Sequence, residues 1–169
     1  KEPLNIIVAG GNWNLLSNAV HFIDLAKWIN KTKPLKILNH NISKKFYFTS
    51  RKNYYDFKGS ISFVFENQTR LDLLSDNSDN NLSINVKNKF IDYTIDEVDK
   101  KFINNFKNNI KKIHIPYQSE VIKYVLSDLI KYKSCNLPDL QDSIQTHSFF
   151  LNQLKSINLI EKNKQLMIT

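Results

Sequence analysis

The chain has 169 residues, which suits one domain with a real hydrophobic core and needs no disulfide or metal to hold it. A single cysteine, Cys135, excludes an internal disulfide, and no apolar run approaches the roughly 20 residues that span a bilayer. Lysine and arginine exceed acids by 24 to 16, a net charge of +8, but only Arg51 and Arg70 are arginines and the lysines are scattered, so a nucleic-acid partner is not expected.

In chain order, Leu4 to Ala9 (LNIIVA) is a short β-branched run that reads as a strand ended by Gly10-Gly11. Leu15 to Asn30 is helical in length and free of Gly and Pro, with Asn14 as its candidate N-cap. Leu35 to Ile42 reads as a strand, and the basic, aromatic stretch Lys44 to Gly59 as a loop. Ile61 to Glu66 and Arg70 to Leu74 flank an Asn67-Gln68 turn and predict a hairpin. After the polar turn Ser75 to Asn81, Leu82 to Val86 and Phe90 to Ile95 read as a strand pair joined by Lys87-Asn88-Lys89. Asp96 to Asn109 fits either a helix or an excursion, and Ile113 to Ile115 fits a short edge strand stopped by Pro116. Ser119 to Lys131 carries an apolar helical stripe with Ser119 as candidate N-cap, and Asp139 to Ser156 repeats the helical period after Pro138. Leu166-Met167-Ile168 would add a last strand. Sequential strands with polar turns predict an α+β fold: one domain over residues 1–169, an open, mostly antiparallel sheet with helices packed on one face.

The segment that bears on chemistry is Gly10-Gly11-Asn12-Trp13-Asn14 and the helix after it. That helix is apolar on nearly every side, which predicts burial. Ser17, His21, Asp24 and Trp28 nevertheless share one face at spacings of four, three and four, flanked by Asn14 and Asn18. Buried polar groups without partners cost about 1–3 kcal/mol, so this stripe needs internal partners or a ligand. One reading is a satisfied core histidine held by Asp24 or a backbone carbonyl; the other is a cleft-facing histidine that moves a proton. Spacing leaves both open. His21, His40, His114 and His147 are far apart with no ligand spacing between them, so no metal is expected. No phosphate-loop or dinucleotide fingerprint occurs, Gly10-Gly11 is a weak signal, and Cys135 lacks the surroundings of a nucleophile. Arg51, in Arg51-Lys52-Asn53-Tyr54-Tyr55, is a candidate contact for an anionic sugar.

The run GGNWNLLSNAVHFIDLAKWI resembles the start of the C-terminal domain in the glucose–fructose oxidoreductase, inositol dehydrogenase and rhizopine-catabolism family, through a His-x-x-Asp-x-x-x-Trp pattern matched by His21, Asp24 and Trp28. Pro116-Tyr117-Gln118-Ser119-Glu120 and Leu137 to Ser143 look similar to later pieces of that domain. The resemblance implies that the parent is an NAD- or NADP-dependent oxidoreductase acting on a sugar or sugar nucleotide, in surface-polysaccharide metabolism. It implies His21 as the catalytic residue; in the substrate-binding set, Asn12, Trp13, Asn14 and Asn18 would line the sugar side because amides and an indole suit hydroxyl-rich ligands, beside Asp24 of the matched pattern and Arg51 as the anion contact. It also implies a separate Rossmann domain for the cofactor, so this chain by itself binds none and does not turn over. A homo-oligomer formed through the open sheet face, from Ile61 to Val86, is the expected assembly. A non-catalytic dimerisation or ligand-binding module is the alternative, and the cytoplasm the expected location. Where the family often has Asp four residues before the histidine, this chain has Ser17.

Overall fold

The structure is a computed structural model that describes residues 2–43, 47–49 and 54–157. The expected strand at 166–168 and Arg51 lie outside the described residues. In chain order the elements are β1 (Asn5–Gly11), α1 (Leu15–Asn30), β2 (Pro34–Ile42), β3 (Tyr47–Phe48), β4 (Tyr55–Asp56), β5 (Gly59–Phe65), β6 (Arg70–Asp76), β7 (Ser83–Lys87), β8 (Asp92–Asp96), β9 (Lys101–Asn104), β10 (Asn109–Lys112), α2 (Gln118–Tyr132) and α3 (Leu140–Ser156). Eight strands form one open sheet in the order β10-β9-β8-β7-β1-β6-β5-β2, and β3 pairs with β4 apart from it. β1 runs parallel to β6, and every other neighbouring pair described is antiparallel. The α+β class and the open sheet are as the sequence predicts.

Register explains where the core sits. Ile6 lies opposite Leu71 and Val8 opposite Leu73, and these in turn oppose Phe63 and Ile61. All six are buried on one face, where α1 adds Leu15, Leu16, Ala19, Ile23 and Ala26 and α3 adds Phe150 and Leu154. Phe149 and Phe150 each place their ring 6.2 Å from that of Phe63, so α3 seals the same face beside α1. On the opposite face Ile7, Asp72, Ser62, Asn85 and Thr94 lie in register. Asn85 and Asn105 both donate to Asp92 and Thr94 there, at 2.6 to 3.0 Å. Those bonds, led by the one from Asn105, hold the Asp92 carboxyl below the usual carboxylate range.

Four local expectations change. β1 continues through Gly10-Gly11 instead of ending there. The ambiguous stretch 96–109 resolves into strands: β8 turns at Glu97–Lys100 into β9, and β10 follows as the edge. The edge strand expected at 113–115 therefore lies a few residues earlier. α2 begins one residue before Ser119, and Tyr117 precedes it; the Glu120 carboxylate accepts the Tyr117 backbone N–H at 2.7 Å. By contrast, Asp139 caps α3, accepting the Asp142 N–H at 2.7 Å. No helix described is long and apolar enough to cross a membrane.

Candidate functional site

The parallel strands β1 and β6 end side by side, and α1 starts at Leu15, directly after Asn12, Trp13 and Asn14. The two glycines serve this junction by letting a loop approach. A Cβ on Gly11 would lie 1.6 Å from the Ser78 carbonyl oxygen, and one on Gly10 would lie 2.8 Å from the Leu82 Cα. The Gly11 N–H donates to the Asn80 carbonyl at 3.0 Å and the Asn12 N–H to that of Asp76 at 3.1 Å. Gly10-Gly11 is thus a packing device and not a phosphate cradle.

Asn12 and Asn14 both take the left-handed backbone region, at φ 56° and 57°, a conformation asparagine tolerates better than most residues. Between them Trp13 is buried; its indole N–H donates to the Leu74 carbonyl at 2.6 Å and its ring meets Phe22 edge-on at 5.3 Å. The Asn18 side-chain amide donates to the carbonyls of Trp13 at 2.7 Å and Asn14 at 3.2 Å. Trp13 and Asn18 therefore hold the turn together, while Asn12 is exposed and Asn14 half-buried.

The cap of α1 is not where the sequence suggests. Asn14 makes no capping bond with its side chain. The N–H groups of Leu16 and Ser17 instead donate to the Asp56 carboxylate at 2.9 and 3.1 Å, and the Ser17 hydroxyl does so at 2.9 Å. Asp56 is fully buried and accepts a fourth bond from the Phe57 N–H at 2.7 Å, so a carboxylate forty residues away in sequence closes the helix N-terminus. Next to it the Tyr47 hydroxyl donates to Asn14 Oδ1 at 3.2 Å. Burial, reinforced by the Asp56 charge, pushes the Tyr47 phenol up to about 12.

Further along α1 the stripe faces outward. His21 is exposed and Trp28 is 51% exposed, with the Lys31 ammonium 5.2 Å above its ring. Asp24 does not hold His21: it accepts the Thr146 hydroxyl at 2.7 Å and lies 3.5 Å from the Lys27 ammonium. Lys27 in turn donates to Thr146 Oγ1 at 2.7 Å, tying α1 to α3. The core-histidine reading is overturned by this arrangement, because α1 buries Leu16, Ala19, Val20 and Ile23 and turns its polar stripe away from them. A groove of about 380 Å³ runs past Asp24, Lys27, Trp28, Leu137 and Asp142, where α1 meets the start of α3.

Asp56, Tyr47, Thr146 and Lys58 went unnoticed in the sequence. Each acts through a partner at least 33 positions away, which no local spacing encodes. The buried Phe57 directly after Asp56 is the one local hint. Of the remaining histidines, His114 lies 3.5 Å from Glu120, and His147 bonds the Ser143 carbonyl within its own helix.

No family model matches the chain, and no curated protein does. Among solved structures it is similar to a dehydrogenase (MviM) from Clostridium difficile, with 14% identity, a TM-score of 0.64, and coverage of 95% of this chain and 55% of that one. It is also similar to a protein from Thermotoga maritima provisionally named an oxidoreductase, with 12% identity, a TM-score of 0.59, and coverage of 93% and 53%. The chain spans about half the length of each. At this level of identity the likeness shows the fold alone: each of these two structures contains, over about half of its length, an architecture similar to that of this chain.

Proposed function

We propose that this chain is the substrate-binding part of an NAD- or NADP-dependent oxidoreductase of the glucose–fructose oxidoreductase, inositol dehydrogenase and rhizopine-catabolism family, acting on a sugar or sugar nucleotide in surface-polysaccharide metabolism. The observation that carries the reading is His21, exposed on a helix whose opposite side is the domain core. A histidine that stability does not require, on a rigid element, is suited to move a proton near neutral pH. The nicotinamide would supply hydride chemistry when bound. This chain's residues do not fit the dinucleotide phosphates: the glycines at the β1 end are packed against a loop, and the α1 N-terminus is filled by Asp56. The cofactor accordingly belongs to another domain, with the cytoplasm as the natural compartment.

Within this reading His21 takes the hydroxyl proton as the sugar carbon is oxidised, and Asn12 offers an exposed amide to substrate hydroxyls. The test is His21→Ala in the natural polypeptide, assayed by reduced-nicotinamide absorbance over a panel of sugars and sugar nucleotides. Turnover should drop by about 10²–10⁴ with stability unchanged. Near-normal turnover would sink the assignment.

A second reading, a module that pairs with its own copy through the open sheet face, is supported by one observation. Leu74 stays 40% exposed at the middle of that face, with Ala9 and Ser60 beside it. Light scattering on the chain should give twice the monomer mass, and a strict monomer at high concentration counts against pairing.

A further inference from the structure

We propose that Lys58 is an oxyanion-binding subsite beside the turn that leads into α1, taking a phosphate or carboxylate group carried by the substrate. The proposal deepens the sugar-oxidoreductase reading and rests on it for the identity of the substrate. Three separate stretches of chain converge on this ammonium. It donates to Asn12 Oδ1 at 2.5 Å, and to Asn77 Oδ1 just beyond β6. It also stands 5.2 Å above the centre of the Tyr47 ring. These partners are neutral, so they fix the position of the charge without cancelling it.

An ammonium has three N–H donors, and hydrogen bonds to described residues engage two of them. No carboxylate described lies within ion-pair distance of Lys58. Asp76, whose carboxyl is held below its usual range chiefly by Ser78 and in small part by Lys58, is already engaged by the Ser78 N–H at 2.8 Å and hydroxyl at 2.6 Å. Lys58 is thus held by two amide oxygens and a ring, with no carboxylate described at ion-pair distance.

The cluster is also built rather than incidental. Asn12 is fixed by its left-handed backbone and its N–H bond to Asp76, and Gly11 lets the Ser78 loop close beside it. Tyr47 links the cluster to α1 through Asn14. The usual anion site here, the N-terminus of α1, is already taken by Asp56, so an anionic group reaching this turn would be met by Lys58.

The test is an NMR titration of the isotope-labelled 169-residue chain with inorganic phosphate and with glucuronate, using glucose as the neutral control. Either anion should move the side-chain amide signal of Asn77, to which the sugar reading assigns no contact, while glucose leaves it in place. Lys58→Gln should weaken the response by about tenfold or more. Lys58→Arg should retain most of it, and Lys111→Gln, at the far sheet edge, all of it. Response to phosphate alone identifies a phosphorylated sugar or nucleotide, and response to glucuronate alone an acidic sugar; both support the subsite. An Asn77 signal that neither anion moves, that glucose moves equally, or that shifts as much in a folded Lys58→Gln variant would overturn it. No turnover is measured, so normal activity of His21→Ala would defeat the redox reading and leave this result standing.

Discussion

α1 and α2 are nearly equal in length, 16 and 15 residues, yet the fold treats them in opposite ways. α1 is apolar almost all round and buries seven residues against the sheet and α3. α2 has the cleaner amphipathic pattern and buries none: Ile122, Leu126 and Ile130 are 51, 50 and 72% exposed. Periodicity therefore specifies a helix in both cases, but it does not specify what the apolar side meets. A helix of 15 residues is marginal in isolation. α2 relies on its ends, where Glu120 closes the first turn and Lys133, in the left-handed region, returns its N–H to the Leu129 carbonyl at 3.1 Å.

The sharpest way to break this comparison is to shorten one apolar side chain in each helix. Ile23 is fully buried, so Ile23→Ala removes packed methyl groups and leaves a cavity. It should cost about 2–5 kcal/mol in denaturant unfolding. Leu126→Ala takes away a half-exposed side chain and should stay within about 0.5 kcal/mol. Equal losses would mean that α2 is packed as firmly as α1, and the contrast would fail.

How much was legible in the sequence follows the same division. The sheet and its order of hairpins were readable because strands β5, β6, β7 and β8 alternate around polar turns, and a register set by one buried face repeats every second residue. β9 and β10 were not readable, since Lys101–Asn104 and Asn109–Lys112 lie at the sheet edge, where half-buried and exposed positions carry little pattern. At the site, the stripe of Ser17, His21, Asp24 and Trp28 is visible from helical spacing, but spacing leaves its direction open between the core and a cleft. The apolar character of α1 suggested burial on every side, whereas His21 and Trp28 occupy the one side the sheet and α3 leave open. The cap by Asp56 depends on a tertiary contact and left no trace near residue 15.

That cap also separates the two helices, because α2 is closed by its own Glu120 while α1 depends on a carboxylate from elsewhere. Asp56→Asn keeps the shape but replaces one oxygen by an N–H₂ group. One pair of donors then loses its acceptor: either the N–H groups of Leu16 and Phe57, or the N–H and hydroxyl of Ser17. The cost should be about 1–3 kcal/mol in unfolding at neutral pH. Tyr47 supplies an independent readout. Its phenol is pushed up to about 12, chiefly by burial and further by the Asp56 charge. The unfolded chain ionises its tyrosines near pH 10 while folded Tyr47 stays neutral, so this group's contribution to stability is full below about pH 10 and is lost as pH rises toward 12. In the Asp56→Asn chain the part due to charge disappears and the part due to burial remains. Tyr47 should therefore titrate lower than in the wild type but still above 10 by ring-carbon NMR, and the alkaline loss of stability should narrow. An unchanged Tyr47 titration would mean that Asp56 does not lie charged beside it, and α1 would then be closed by some group other than this carboxylate.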